Sequence, residues 1–208
     1  LVERLQQCRD RSQPVAIDTE TTDLNPFKAQ LVGLGVCWGE DVSDLAYLPV
    51  GHQLNDEQGQ LPSADAPSDG TAVSTANPED HGIATPHQQL ALETVLQALA
   101  PWLASPDHPK ALQNAKYDRL ILLRHGLMLA GLVMDTLLAD YLRDAAAKHS
   151  LDLMAQREYG ITPTLFSDLV GKAKDGKAPT FAEVPIPQAA LYCAMDVHLT
   201  RRLAIDLA

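Results

Sequence analysis

A pair of acidic residues directly after the first apolar run constrains this sequence more than any other feature. Asp18 and Glu20, in the stretch VAIDTE, are two residues apart, and side chains at i and i+2 of a strand point to the same face. The spacing predicts two carboxylates side by side at the end of a buried strand, where they repel each other unless a cation lies between them. Hard divalent cations such as Mg²⁺ take oxygen ligands of this kind. The alternative is a polar strand end that leads into a turn, since residues 22–26 (TDLNP) are typical of a turn.

The length and charge of the chain set broad limits on its function. With 208 residues, the chain is long enough for one domain with a sizeable core. Its net charge of −11 argues at first against a nucleic-acid ligand. Residues 52–88, however, contain six of the acids and no Lys or Arg, and divalent cations bound to a carboxylate site would offset most of the remaining charge. The net charge therefore does not exclude a phosphodiester substrate.

One long segment differs from the rest of the chain in composition. Residues 51–85 are rich in Gly, Pro, Ser, Asp and Gln and contain few large apolar side chains. Such a composition buries too little apolar surface to offset chain entropy, and a structureless loop of this length is uncommon inside a compact domain. We expect residues 1–208 to form a single domain in which residues 51–85 are an acidic, flexible surface insertion, with His52 and His81 in solvent.

The apolar periodicity predicts an α/β fold. Residues 14–18, 30–38 and 44–50 are predicted strands joined by turns, which is typical of an antiparallel meander. Alternating helices and strands after such a meander predict a mixed sheet flanked by helices. The other predicted elements are a helix over 1–12, a helix from Thr85-Pro86 that kinks near Pro101, a strand over 110–114, a helix that Gly126 ends, and helices over 135–141, 150–159 and 187–206.

The sequence also limits where the protein works. It contains no run of 18 apolar residues, so no membrane span is expected, and its first ten residues read as a charged helix and not as a signal peptide. The first residue is not Met, so we expect the chain to be a piece of a longer protein. The scattered cysteines Cys8, Cys37 and Cys193 favour free thiols in a reducing cytoplasm, and Cys37 and Cys193 are predicted core residues.

Two further residue pairs stand where helices are predicted. Asn114 and Asp118 are four residues apart at the start of a helix and share one face, and Tyr192 and Asp196 have the same spacing in the last helix. Both aspartates lie in apolar surroundings, where an isolated carboxylate is costly. Each pair alone also fits a structural role, an Asp in a first helical turn or a core Tyr beside a surface Asp. Together with the acidic pair of the first strand, they indicate one converging metal site.

The order of these stretches resembles a known family. AIDTETTDL, QNAKYD and YCAMD resemble the three motifs of the DEDD exonuclease superfamily, whose members have a ribonuclease H-like fold. Tyr192 lies four residues before Asp196, as in the DEDDy subtype, whereas the DEDDh subtype would have His at the position of Leu191. Over nearly the whole chain, the sequence looks like the proofreading 3′–5′ exonuclease domain of bacterial family A DNA polymerases. Departures are the insertion at 51–85 and Met195, where the family often has an acid.

This resemblance implies a reaction and roles for individual residues. Two Mg²⁺ ions, or Mn²⁺, would hydrolyse the terminal phosphodiester and release 5′-nucleoside monophosphates. Asp18, Glu20 and Asp196 would hold the ion that activates water. Asp18 and Asp118 would hold the ion beside the leaving oxygen, and Tyr192 would orient the attacking water. The substrate contacts that the resemblance implies are Thr21, Leu24 as an apolar wedge between the last bases, Phe181 packed on the frayed strand, and Gln113, Asn114 and Tyr117 on its sugar and phosphate.

The same resemblance implies partners. We expect a single-stranded or frayed 3′ end of DNA as the substrate, a polymerase domain in the same chain, no membrane and a monomer. Two alternatives remain open at this point. The first is a catalytically silent DNA-binding or scaffold domain of a polymerase, and the second is an RNase D-like or Werner-type exonuclease that acts on RNA.

Overall fold

A computed structural model describes residues 1–53, 89–170 and 179–208. The predicted helix start at Thr85-Pro86 and the histidine at position 81 lie outside these ranges. The helices are α1 (Val2–Gln7), α2 (Leu92–Leu103), α3 (Ala115–Arg124), α4 (Thr136–Arg143), α5 (Leu151–Tyr159), α6 (Phe166–Val170) and α7 (Ile186–Asp206). The strands are β1 (Val15–Thr21), β2 (Leu31–Cys37), β3 (Leu45–Pro49), β4 (Lys110–Leu112) and β5 (Leu132–Asp135).

The strands form one mixed sheet in the order β3-β2-β1-β4-β5. β2 pairs antiparallel with both β1 and β3, whereas β4 is parallel to β1 and to β5. The predicted meander and the α/β class are confirmed. β5 was not predicted as a strand, because its four residues give too short a pattern and run directly into α4.

β1 lies at the centre of the sheet and presents two different faces to the helices. Val15 and Ile17 belong to the main core, together with apolar residues of α1, α2 and α3. Ala16 points to the other face, where it packs with Cys37 and Val197 of α7. Since side chains alternate along a strand, Asp18 and Glu20 share the face of Ala16 and point towards α7.

Several predicted boundaries differ from the structure. α1 ends at Gln7 and not at residue 12, because Asp10 accepts hydrogen bonds from the backbone N–H and hydroxyl of Ser12 in a turn. β1 continues past Asp18 to Thr21, because it stays paired with β2. α2 runs through Pro101 to Leu103, and α7 begins at Ile186, one residue before the predicted start.

The start of the predicted insertion is part of the fold. His52, expected in solvent, is buried, with its Nε2 2.6 Å from the hydroxyl of Tyr47 and its Nδ1 2.9 Å from the carbonyl oxygen of Val184. Its backbone N–H donates to the amide oxygen of Gln89, and the Gln89 amide nitrogen donates back to the His52 carbonyl. These paired bonds join the two flanks of residues 54–88. Of the helices described, none is long and apolar enough to cross a membrane.

Candidate active site

β1 and α7 together form the floor of the candidate site. Asp18 pairs with Gly35 of β2 and Glu20 pairs with Gly33. The missing side chain at Gly35 lets α7 approach closely, since a Cβ there would lie 2.4 Å from the Sγ of Cys193. The glycine therefore places the α7 turn that carries Tyr192 and Asp196 against the acidic pair of β1.

α3 brings a fourth carboxylate to the same end of β1. Oδ1 of Asp118 accepts a hydrogen bond from the backbone N–H of Thr19 at 3.0 Å and another from its hydroxyl at 2.6 Å. The helix starts at the right place because Asn114 adopts a left-handed conformation, with φ of 61°, which Asn tolerates better than most residues. Asp135 then accepts the backbone N–H groups of Asn114 and Ala115 at 3.1 and 2.9 Å. Asp118 is 3% exposed.

The four carboxyl groups perturb one another. Burial raises the pKa of Asp18 to about 6, and burial together with the charge on Asp18 raises the pKa of Asp196 to about 8. Burial and the charges of Asp18 and Asp196 raise the pKa of Glu20 well above its usual range. The pKa of Asp118 also rises, through burial first and then through the charge on Asp18. Acids from β1, α3 and α7 thus converge on one region, as the sequence predicts.

This arrangement fits a bound cation. Within residues 1–53, 89–170 and 179–208, none of the four carboxylates forms an ion pair with Lys, Arg or His. Oε1 of Glu20 is buried and has no hydrogen-bond partner there. A buried carboxylate without a positive partner is costly, and carboxylate oxygens are the ligands that Mg²⁺ prefers. The donor set therefore suits a hard divalent ion.

A cleft of about 440 Å³ opens above these acids. Its walls contain all the predicted site residues except Phe181. They also contain residues that the sequence analysis did not select as site residues, which are Thr19, Thr22, Asp23, Phe166, Pro179 and Thr180. Tyr192 lies in the wall with Asp196, and burial followed by the charge on Asp196 raises the pKa of its hydroxyl, so Tyr192 is protonated at neutral pH.

The predicted substrate contacts differ in how free they are to meet a ligand. Leu24 is 92% exposed at the rim, as an apolar wedge would need to be. Tyr117 hydrogen-bonds through its hydroxyl to Thr21 and to the carbonyl of Asp23, which fixes this wall of the cleft. Gln113 lines the cleft, but its amide is already bound within the protein, to the hydroxyl of Thr136 and to the carbonyl of His149.

Phe181, which is predicted to pack on the frayed strand, does not line the cleft. Its side chain is 0% exposed, because the short 3₁₀ turn Phe181–Glu183 packs under α7. The centroids of the Phe181 and Tyr192 rings are 5.9 Å apart. Phe166 of α6 stacks on Phe181 with ring centroids 6.2 Å apart and is itself 44% exposed in the cleft wall. Phe166 was not among the predicted site residues, and the one signal in the sequence is an aromatic residue shortly before the lysine-containing segment 170–177.

Comparison with known proteins agrees with this geometry. The family model described as 3′-5′ exonuclease, for family A DNA polymerases, matches residues 1–208. The chain belongs to this family. DNA polymerase I of Synechocystis sp. is 35% identical over 208 residues, which are 100% of this chain and 17% of that protein. The chain thus spans about a sixth of the length of this relative, and the resemblance to the polymerase exonuclease family is confirmed.

Solved structures show the same fold. The chain is similar, with a TM-score of 0.58 and 20% identity, to the POL domain of Pol1 from M. smegmatis in complex with DNA primer-template and dNTP, over 100% of this chain and 25% of that one. It is also similar to Escherichia coli RNase D, an exoribonuclease, with a TM-score of 0.55 and 16% identity over 98% of this chain and 41% of that one. The ribonuclease H-like fold of this exonuclease family is confirmed, and the family's use of divalent metal suits the acidic cluster.

Proposed function

We propose that this chain is a metal-dependent exonuclease that removes nucleotides from the 3′ end of DNA and proofreads for a polymerase domain in the same protein. The observation that carries this proposal is the convergence of Asp18, Glu20, Asp118 and Asp196 without a basic partner among the described residues. Such a cluster holds cations, and the cleft above it opens to solvent beside exposed apolar groups.

The four acids divide into two ligand sets that share Asp18. Glu20 and Asp196 would complete one set and Asp118 would complete the other, so Asp18 would contribute to holding both Mg²⁺ or Mn²⁺ ions. When bound, the ions stabilise the charge that develops on the attacking and leaving oxygens of the phosphodiester. The bonds from Thr19 fix Asp118, so the second set is held in place before substrate arrives.

The remaining residues position the reacting groups. Tyr192 keeps its proton and lies beside Asp196, so its hydroxyl can donate or accept one hydrogen bond and orient a water molecule. Leu24 can insert between the last two bases and Phe166 can stack on an unpaired base, since stacking on apolar and aromatic groups tolerates any sequence. A frayed end needs no melting, so mismatched 3′ ends should be removed faster than paired ones.

The test is digestion of a 5′-labelled primer with a mismatched 3′ nucleotide, in Mg²⁺ or in EDTA. We expect a ladder that shortens from the 3′ end in Mg²⁺, no ladder in EDTA, and no ladder with Asp196→Ala. Asp107→Asn is the matched control, because Asp107 is an exposed acid before β4, at the opposite end of the sheet, and should keep full activity. Absence of a ladder at any metal concentration, also after the polymerase domain is joined, would refute the nuclease.

The similarity to the fold of RNase D makes RNA the competing substrate to test. The same digestion is therefore repeated with an RNA strand of identical sequence. Faster hydrolysis of the RNA than of the DNA would assign the chain to the RNA-processing alternative.

A further inference from the structure

A cysteine lies at the floor of the candidate site, where the carboxylate chemistry leaves it unused. Cys193 follows Tyr192 on α7, is 0% exposed, and fills the space that Gly35 leaves open. Its Sγ and one oxygen each of Asp18 and Glu20 all lie within 4.8 Å of one another. The thiol is therefore part of the carboxylate cluster and not only a filler of the apolar core.

A second observation shows that this group of three has an open ligand position. Glu20 is 7% exposed, and its buried Oε1 has no hydrogen-bond partner among the described residues. One cation could bind all three donors, which are this unpartnered carboxylate oxygen, the sulfur and the second carboxylate. In a tetrahedral zinc site, ligands at about 2.0 to 2.3 Å from the metal are roughly 3.5 Å apart, so small side-chain rotations suffice.

We propose that Asp18, Glu20 and Cys193 form a mixed oxygen and sulfur site for a thiophilic divalent ion, Zn²⁺ or Cd²⁺. Sulfur ligands favour such ions over Mg²⁺, which takes oxygen ligands. On binding, the thiol releases its proton to solvent and the thiolate sulfur donates an electron pair to the metal. The inference rests on the proposed function only through the two shared carboxylates, so Zn²⁺ or Cd²⁺ would compete with Mg²⁺ for them.

The test is a Cd²⁺ titration of the metal-free chain, followed by the ultraviolet sulfur-to-cadmium charge-transfer band. We expect a band that saturates at one Cd²⁺ per chain, persists in Cys37→Ala and is absent in Cys193→Ala. Cys37 is the matched control, because it is equally buried but packs with Ala16 and Val197. Cys193→Ser, which keeps the size of the side chain, should also lack the band, and circular dichroism checks that each variant is folded.

Calorimetry gives a second readout that does not depend on nuclease activity. Loss of the sulfur ligand should weaken Zn²⁺ binding at least about 100-fold, since loss of an outer-shell partner alone costs about 10–100-fold, while Mn²⁺ binding by the carboxylates stays unchanged. A wild-type chain without the band, or a band that persists in Cys193→Ala, would overturn the inference. If the wild-type chain lacks the band but still digests the primer in Mg²⁺, only the inferred sulfur site is overturned. If the wild-type chain shows the band but does not digest the primer, only the proposed function is overturned.

Discussion

Replacing Asp18 by Asn should stabilise the metal-free chain at the cost of its activity. Burial raises the pKa of Asp18 from 3.8 to about 6, so the folded state favours the protonated acid more than the unfolded state does. Protonated Asp18 therefore contributes to the free energy of unfolding. This contribution is fully present below pH 3.8 and is lost as the pH rises through about 6. Each pKa unit corresponds to about 1.4 kcal/mol, so ionisation of Asp18 at pH 8 costs about 3 kcal/mol.

Asn has the same shape but no charge, so Asp18→Asn should remove this cost. Without metal, we expect the free energy of unfolding at pH 8 to exceed that of the wild type by about 3 kcal/mol from this group alone, with little difference at pH 4. The neighbouring acids add to the effect, because the charge on Asp18 also raises the pKa values of Glu20, Asp118 and Asp196. Activity should fall at least about 1,000-fold, since metal stabilisation of the transition state is worth several kcal/mol.

The measurement is urea unfolding followed by circular dichroism at pH 4 to 8, in EDTA and in Mn²⁺. Mn²⁺ should raise the stability of the wild type at pH 8 and leave that of Asp18→Asn nearly unchanged. Asp107→Asn, which also removes one negative charge but lies away from the site, should follow the wild-type curve. If Asp18→Asn were no more stable than the wild type at pH 8, or lost stability with pH just as steeply, the reasoning from repulsion within the cluster would be refuted.

Four further changes test separate parts of the site. Tyr192→Phe keeps the ring that packs on the buried aromatic cluster but removes the hydroxyl, so kcat should fall roughly 100-fold with the melting temperature unchanged. Leu24→Ala should leave stability unchanged, since Leu24 is 92% exposed, and weaken binding of an unpaired 3′ end by about 1–3 kcal/mol in a fluorescence titration. Phe181→Ala should lower the free energy of unfolding in urea by about 3–5 kcal/mol, as for other buried aromatic residues. An unchanged urea midpoint would contradict the burial of Phe181 in the core. Deleting residues 55–82 should leave primer digestion largely intact, because the carboxylates all lie outside the segment, and loss of Mn²⁺ binding would contradict this.

The centre of the fold could be predicted because its signals are local. β1 and β2 are apolar runs bounded by turns, and the spacing of Asp18 and Glu20 fixes which face they share whatever the rest of the chain does. The start of α3 is local too, since Asn114 takes the left-handed conformation directly before the helix and Asp118 lies one turn into it. Element type and the direction of these side chains therefore follow from the sequence.

Other features depend on contacts that no local pattern contains. His52 stands in a polar stretch, and only its contacts with Tyr47 and Val184 keep it buried. Phe181 and Phe166 are both aromatic residues near the same polar segment, yet one lies beneath α7 and the other in the cleft wall. The tertiary packing of the 3₁₀ turn decides which of the two can meet a substrate.

The convergence of the acids is likewise a property of the packing. Asp118 is 99 residues from the threonine that binds it, and α7 reaches β1 only because Gly35 has no side chain. These contacts hold the carboxylates together although their charges repel, so packing energy elsewhere in the sheet must offset the repulsion. A bound cation removes that repulsion in the folded state and has no comparable site in the unfolded chain. We therefore expect metal binding to stabilise the fold, through the same cluster that is proposed to perform the reaction.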